Sequence, residues 1–221
     1  MFCIGIFDRL RFPSGYSILA ITTMLIVGVL PHPNASAGQQ KNIVIIGDSL
    51  SAAYNIPVQN SWPQLLQARL DENNLPYRII NTSISGDTSY TALNRSKKTL
   101  PQLKPDVCFI AIGANDGLQG LSLKQLKTNL HSIIGLCKQH TNKIMLFEMK
   151  VPLNYGPVFV KRFSNIYHQV AKKERIKLLP FFIEPFADDL SMFLPDRIHP
   201  AEHAQPLLSD SVYKGFIELQ M

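Results

Sequence analysis

A serine and a distant acid–imidazole pair are this chain's candidates for covalent chemistry. Ser49 lies in the segment Gly47-Asp48-Ser49-Leu50-Ser51, directly after an apolar run at 43–46. Such a run, ended by glycine, predicts a buried strand that stops at a tight turn. Near the C-terminus, Asp196 and His199 stand close together in the chain. Because a serine becomes nucleophilic when an imidazole accepts its proton and a carboxylate orients the ring, these residues predict a serine hydrolase.

The same residues have simpler uses. Ser49 would also suit a helix N-cap, or a turn that binds phosphate through backbone N–H groups. Neither use explains the Asp-x-x-His pair, and the G-x-S-x-G elbow of α/β-hydrolases is absent around Ser49. His199 also begins an H-x-x-E-H pattern that ends at His203. Zinc would need both histidines on one helix face, and Pro200 takes His199 off the helix, so we expect no metal.

Gly86 and Asn115 are candidate donors to a negatively charged oxygen. Acyl transfer develops an oxyanion, and each donor aimed at it is worth roughly 2.7–4 kcal/mol. Gly86 offers a backbone N–H that no side chain blocks, although it also suits a plain turn. Asn115 offers a carboxamide, although it also suits an Asx turn. The N–H of Ser49, expected at a helix start, would be a third donor.

The elements that must position these residues alternate between strand and helix. Predicted strands cover 42–47, 77–81, 107–113, 143–149 and 177–180, and predicted helices cover 62–73, 90–98, 123–140, 158–173 and 201–219. Alternation of this kind indicates right-handed crossovers and a parallel sheet with helices on both faces. We therefore expect one three-layer α/β/α domain. Its strand-to-helix loops emerge at one edge of the sheet and carry the candidate residues there.

The N-terminal segment differs from the rest of the 221 residues. Arg9 and Arg11 precede an uncharged stretch at 16–30, and Ala35-Ser36-Ala37 follows it. A basic start, an apolar segment and an A-x-A-like end are typical of a secretory signal peptide. We expect residues 1–37 to be removed, which leaves 38–221 as a periplasmic or secreted domain. The alternative is an uncleaved signal anchor, although the stretch is shorter than the about 20 residues of a membrane span.

Composition limits the partners that this chain would bind. It is 46% hydrophobic and 17% charged, which suits a folded domain with a core. The net charge is +6, but the basic residues are scattered, with the densest groups at 97–98 and 172–175. We therefore expect no nucleic-acid partner. We also expect no stable membrane insertion after signal cleavage, and a monomeric protein. Cys108 and Cys137 are expected to be buried free thiols, with a disulfide as the alternative in an oxidising compartment.

Four ordered blocks of the sequence resemble the SGNH, or GDSL, hydrolase family. They lie at 47–51, 81–88, 113–118 and 196–200, within a resemblance that spans 42–219. The segments at 62–66, 153–156 and 179–182 look most like the periplasmic group of acyl-CoA thioesterase I, protease I, lysophospholipase and arylesterase. The resemblance implies a flavodoxin-like, five-stranded parallel sheet of order 2-1-3-4-5. It also implies that no metal or organic cofactor is used.

The resemblance assigns a role to each candidate residue. Ser49 would be the nucleophile, His199 the general base and then acid, and Asp196 the residue that orients the imidazole. The N–H groups of Ser49 and Gly86 and the side chain of Asn115 would form the oxyanion hole. Two positions depart from the family, which carries glycine where Ala114 stands and commonly glycine where Arg197 stands. Ala114 is expected to stiffen or crowd the Asn115 loop, and Arg197 to favour anionic substrates or lower the pKa of His199.

The expected activity is hydrolysis of carboxylic esters and thioesters of acyl chains, including lysophospholipids. Leu118, Val151, Pro152 and Phe193 are candidates for the acyl-chain site, although each also suits plain core or loop packing. Two alternatives stay open from the sequence. One is a carbohydrate O-acetylesterase of the same fold, and the other is a catalytically silent lipid-binding protein.

Overall fold

The computed structural model describes residues 40–220. The signal peptide predicted at 1–37 lies outside the described residues, together with its cleavage site. The described strands are β1 Lys41–Gly47, β2 Tyr77–Asn81, β3 Val107–Ala111, β4 Ile144–Phe147 and β5 Lys177–Leu179. The described α-helices are α1 Trp62–Glu72, α2 Ser89–Leu103, α3 Ala114–Leu118, α4 Leu123–Lys138, α5 Pro157–Glu174 and α6 Gln205–Gln220. Short 3₁₀ turns lie in the loops between them.

The five strands form one parallel sheet in the order β2-β1-β3-β4-β5, as predicted. All five residues of β3 are buried, because helices cover both faces of the sheet. Gly47 at the end of β1 pairs with Ala111 at the end of β3. The loops that follow these two strands therefore leave the sheet side by side. This register places the Ser49 loop next to the loop that carries Asn115.

Helices α1 and α6 pack against each other, and α2, α4 and α5 form a second group of packed helices. The first group lies over an aromatic cluster in which Trp62 contacts Phe147 and Phe182, with ring centroids 6.0 and 6.1 Å apart. The indole N–H of Trp62 donates to the carbonyl of Leu50 at 3.0 Å. The core therefore anchors both helix α1 and the turn immediately after Ser49.

Three helices differ most from the sequence expectation, whereas the strands differ from it by at most two residues at either end. Helix α2 continues past residue 98 to Leu103 and includes Pro101 in its last turn, where the proline lacks the N–H that would bond to the preceding turn. Helix α6 begins at Gln205 instead of residue 201, with Pro206 near its start where no N–H partner is needed. A 3₁₀ turn, Glu202–Ala204, precedes it. Helix α3 was not predicted, because its five residues contain glycine, asparagine and aspartate.

Cys108 and Cys137 are both buried and both free. The two thiols are neighbours, and a hydrogen bond with Cys137 together with burial raises the pKa of Cys108 far above its usual range. They therefore pack as small apolar side chains between β3 and α4. Among residues 40–220, no helix combines the length and the apolar character that crossing a bilayer requires.

Candidate active site

Ser49, His199 and Asp196 form a continuous hydrogen-bonded relay. His199 Nε2 lies 2.8 Å from Ser49 Oγ, and His199 Nδ1 lies 2.8 Å from Asp196 Oδ2. The carboxylate favours the tautomer that carries its proton on Nδ1, which leaves Nε2 free to accept the Ser49 proton. The structure thus brings Ser49 against the Asp196–His199 pair, although Ser49 and His199 are 150 positions apart in the chain. This geometry can generate a serine nucleophile.

The loop that holds Asp196 and His199 is fixed by its own backbone. The N–H of Leu194 donates to the carbonyl of His199 at 2.8 Å, and an antiparallel bridge joins Phe193 to Pro200. Asp196 Oδ1 accepts the N–H groups of Ile198 and His199 at 2.9 and 3.0 Å. Partial burial raises the pKa of Asp196, but these bonds and the imidazole outweigh it, so the pKa lies below its ordinary value. The carboxyl therefore stays ionised beside the ring.

Arg197 adopts a left-handed backbone conformation at the tip of this loop, with φ 59°. Glycine, which the family resemblance implies at this position, adopts that conformation without strain. The Arg197 side chain lines the cleft that contains Ser49. Ala114, the other departure, has an ordinary backbone because Gly113 takes the left-handed conformation, with φ 114°. Ala114 therefore begins α3 without strain in the loop.

Ser49 lies in a tight turn, and the expectation that it begins a helix was wrong. Residues 49–55 form successive turns, and α1 begins only at Trp62. The carbonyl of Asp48 accepts the N–H groups of Ser51 and Ala52 at 3.1 and 3.0 Å, which closes the turn around Ser49. A Cβ at Gly47 would lie 2.7 Å from Ser83 Oγ. Only glycine therefore allows the loop after β2, which carries Ser83, to approach the end of β1 this closely.

The three predicted oxyanion donors face one cleft. Ser49, Gly86 and Asn115 all line it. Gly86 has a φ of 84°, and a Cβ there would meet nothing within 4 Å, so its conformation rather than crowding requires glycine. Asn115 Nδ2 donates to the carbonyl of Asp87 at 2.9 Å, which orients the carboxamide. The second N–H of the same amide is left for a ligand.

The cleft encloses about 670 Å³, within the range of small-molecule sites. The four predicted acyl-chain residues all line it, and so do further apolar side chains that the sequence analysis missed. The predicted set is Leu118, Val151, Pro152 and Phe193, and the missed set includes Leu50, Tyr54, Leu153, Phe181 and Ile183. Leu153 is 82% exposed and adds apolar surface to the cleft. The cleft therefore suits an apolar ligand whose reacting end lies at Ser49.

The ring of Tyr54 packs against the imidazole of His199, with ring centroids 4.2 Å apart and an angle of 31° between the ring planes. Its side chain is 38% exposed, and it lines the same cleft. Nothing in the sequence around Tyr54 indicates this contact, because it depends on the path of the turn after Ser49.

Charged side chains stand at the rim of the apolar cleft. Lys150 pairs with Glu184 at 2.5 Å across two loops. Asp188 and Arg197 also line the cleft, and neither takes part in a salt bridge among the described residues. The site is therefore apolar inside and charged at its mouth.

Two carboxyl groups lie buried behind the nucleophile. Asp48 is fully buried, and burial raises its pKa to about 7. Asp116 accepts the backbone N–H and the hydroxyl of Ser89 at 2.7 and 2.5 Å, yet burial still raises its pKa. Asn129 donates to the same hydroxyl at 2.9 Å. Within residues 40–220, no group of three or more His, Cys, Asp or Glu side chains is placed to hold a metal ion.

With this geometry established, comparison with known proteins decides the family. Residues 45–205 match the model of the GDSL-like lipase/acylhydrolase family. This chain belongs to that family. The matched range includes every predicted catalytic residue, from Ser49 to His199. As a family member, the chain is a carboxylic ester hydrolase with the SGNH hydrolase fold.

Relatives of this GDSL-like hydrolase are esterases. It is 39% identical to esterase TesA of Pseudomonas aeruginosa over 173 residues, which cover 78% of this chain and 86% of TesA. It is 35% identical to thioesterase 1/protease 1/lysophospholipase L1 of Escherichia coli over 178 residues, which cover 80% and 84% of the two chains. A crystal structure of esterase EstA from Pseudoalteromonas, inhibited by monoethylphosphonate, matches with TM-score 0.78 and 35% identity, covering 81% of this chain and 98% of EstA.

Proposed function

We propose that this GDSL-like hydrolase cleaves esters and thioesters of medium or long acyl chains through a Ser49–His199–Asp196 triad. The observation that carries the proposal is the relay itself, with both of its hydrogen bonds at 2.8 Å. Its serine opens directly into an apolar cleft.

The reaction proceeds in two half-reactions through an acyl-enzyme. Ser49 Oγ attacks the ester carbonyl while His199 Nε2 accepts the hydroxyl proton, and a tetrahedral oxyanion forms. The oxyanion collapses, the bond to the leaving alcohol or thiol breaks, and His199 returns the proton to that group. Water then attacks the acyl-enzyme in the same way and releases the carboxylic acid and free Ser49. Asp196 stays ionised throughout and stabilises the imidazolium.

The N–H groups of Ser49 and Gly86 and the free N–H of Asn115 stabilise the oxyanion. They come from three different loops of the sheet edge, so the fold presents them before substrate arrives. Preorganised donors of this kind supply transition-state stabilisation without reorganisation during the reaction.

The cleft favours an acyl chain over an acetyl group. An acetyl substrate would leave the apolar surfaces of Leu118, Val151 and Leu153 uncovered, whereas a longer chain would bury them, at about 0.8 kcal/mol per CH₂ group. The charged mouth suits a polar headgroup, as in a lysophospholipid. The E. coli relative carries both thioesterase and lysophospholipase in its name, which supports this class of substrate.

We also propose that residues 1–37 export the protein and are cleaved after Ala37, which places the enzyme in the periplasm or outside the cell. There a membrane-derived ester is a more accessible substrate than an acyl-CoA. Expression of the full chain in a Gram-negative host tests this proposal. Mass spectrometry should find a mature N-terminus at Gly38 in the extracytoplasmic fraction, and a full-length chain in the membrane fraction would contradict cleavage.

The nucleophile is tested by Ser49→Ala. The variant should lose hydrolysis of p-nitrophenyl esters while its circular dichroism and melting temperature stay those of the wild type. Ser132→Ala, which removes an exposed hydroxyl on α4, is the matched control and should retain full activity. Turnover retained by Ser49→Ala would rule out the proposed mechanism.

The substrate class is tested by a series of acetyl, butyryl, octanoyl and dodecanoyl esters together with a lysophosphatidylcholine. We expect kcat/KM to rise with chain length beyond butyryl. A maximum at acetyl with a sharp fall thereafter would instead support the carbohydrate O-acetylesterase.

A further inference from the structure

Arg95 occupies the junction between the loops that carry the proposed oxyanion donors. Its guanidinium forms an ion pair with the carboxylate of Asp87, the residue after Gly86. The same guanidinium donates to the carbonyl of Gly47 at 3.3 Å, two residues before Ser49. Both side chains of the pair are largely buried, with 15% and 11% of their surfaces exposed. A pair this shielded is less screened by solvent than a surface salt bridge.

The third donor is tied to the same point. Asn115 Nδ2 donates to the backbone carbonyl of Asp87 at 2.9 Å, so the position of Asp87 sets the position of the carboxamide. The carbonyl of Gly47 also accepts the N–H of Ile84 at 3.3 Å, which joins the loops after β1 and β2 directly. Arg95 thus contacts the loops after β1 and β2 itself, and reaches the loop after β3, which carries Asn115, through Asp87.

Arg95 can hold these loops because it projects from a rigid element. It lies in the second turn of α2, whose start is fixed by reciprocal hydrogen bonds between Thr88 and Thr91. Arg95 does not line the cleft, so it does not touch the substrate. A planar guanidinium can donate to a carboxylate and a carbonyl at once, whereas a lysine ammonium has no such fixed fork.

We propose that Arg95 is a positioning residue that sets the spacing of the oxyanion donors through Asp87 and Gly47. This inference rests on the proposed function, because it concerns the same transition state. Displacement of donors by even about 1 Å can cost on the order of 10²-fold in rate. The loss should fall on kcat, because the donors act on charge that develops only in the transition state.

The test compares Arg95→Met, Arg95→Lys and Asp87→Asn with the wild type. Arg95→Met should lower kcat for p-nitrophenyl octanoate by roughly 10–100-fold and leave KM within about twofold. Arg95→Lys should fall between Arg95→Met and the wild type, because it keeps the charge but loses the fork. Combining Arg95→Met with Asp87→Asn should cost little more than either change alone, since both break the same link.

A second readout separates positioning from a loss of stability. Diethyl p-nitrophenyl phosphate places a phosphoryl oxygen where the oxyanion forms, so its rate of covalent inactivation should fall by the same factor as kcat. Competitive inhibition by octanoate, a ground-state ligand, should not change. Arg69→Met is the matched control, because it breaks another Arg–Asp pair, between α1 and Asp210 of α6, away from the site. It should leave kcat unchanged.

The proposal is overturned if kcat of Arg95→Met stays within threefold of the wild type, or if kcat falls while phosphate inactivation does not. If Arg95→Met fails to fold, Arg95→Lys and Asp87→Asn decide by the same two criteria. The Ser49→Ala result keeps the two proposals apart. Activity retained without the Ser49 hydroxyl removes the proposed function, whereas an inactive Ser49→Ala with an unaffected Arg95→Met removes only the role of Arg95.

Discussion

The buried carboxyl of Asp48 should contribute a loss of stability as the pH rises towards neutrality. Asp48 Oδ1 accepts the N–H of Leu50 at 3.1 Å, while Oδ2 is buried with no hydrogen-bond partner among the described residues. Burial raises the pKa of the group from 3.8 to about 7, and the nearby Asp116 carboxylate adds to the rise. In the unfolded chain the same carboxyl is in water and ionises at its ordinary pKa.

The sign follows from proton linkage. Between pH 3.8 and about 7, folded Asp48 holds a proton that the unfolded chain has lost, so the free energy of unfolding decreases with pH. Above about pH 7 both states are ionised and the dependence ends. A shift of about three pH units corresponds to about 4 kcal/mol, since each unit is worth about 1.4 kcal/mol. Asp48→Asn cannot ionise and should lack this dependence.

Urea unfolding of the wild type and Asp48→Asn from pH 4 to 9 measures the effect. The stability of the wild type minus that of the variant should fall by about 4 kcal/mol between pH 4 and 7 and then level off. Taking this difference cancels the opposite dependence of carboxyls with lowered pKa values, such as Asp196. Asp71→Asn, an exposed change on α1, is the control for loss of one negative charge. A difference curve for Asp48 that is flat, or that rises with pH, would refute the reasoning.

Four further variants test the site and the packing of the fold. Asn115→Ala should lower kcat by about 10²–10³-fold through loss of one oxyanion donor, and a change under threefold in steady-state kinetics would remove Asn115 from that role. Asp196→Asn should lower kcat by about 10⁴-fold by favouring the wrong imidazole tautomer, with the melting temperature as a check on folding. Gly117→Ala should destabilise the fold by about 1–3 kcal/mol, because its Cβ would lie 2.5 Å from Val151 Cγ1. Gly135→Ala, where a Cβ meets nothing within 4 Å, should stabilise it by about 0.5–1 kcal/mol, and thermal unfolding of the pair should show opposite signs.

The sequence could predict the sheet and the contact of Ser49 with His199, because a glycine or a proline marks the end of an element near each of these residues. Gly47 ends β1, and Pro200 keeps the imidazole in a loop. A parallel sheet then delivers every such loop to one edge, whatever the distance in sequence. The apolar residues Leu118 and Val151 follow from the same rule, since they lie just after β3 and β4 at that edge.

Features that depend on side chains meeting across elements could not be predicted in this way. The contact of the Tyr54 ring with His199 depends on the path of the turns at 49–55, where the sequence led us to expect only that Ser49 begins a helix. The ion pair of Arg95 with Asp87 depends on how α2 packs against the loop that follows β2. From the sequence alone, an arginine on a helix is expected to be solvated. The raised pKa of Asp48 depends on burial, which no local pattern around a polar turn residue indicates.

Active-site labelling shows whether Ser49 is the nucleophile and whether His199 activates it. The protein is treated with a fluorophosphonate, digested, and analysed by tandem mass spectrometry alongside Ser49→Ala and His199→Ala. The proposed mechanism predicts one phosphonyl adduct on Ser49, formed in step with loss of esterase activity, absent from Ser49→Ala and strongly slowed in His199→Ala. Inactivation with the adduct on another residue, or equal labelling of Ser49 without the imidazole, would contradict it.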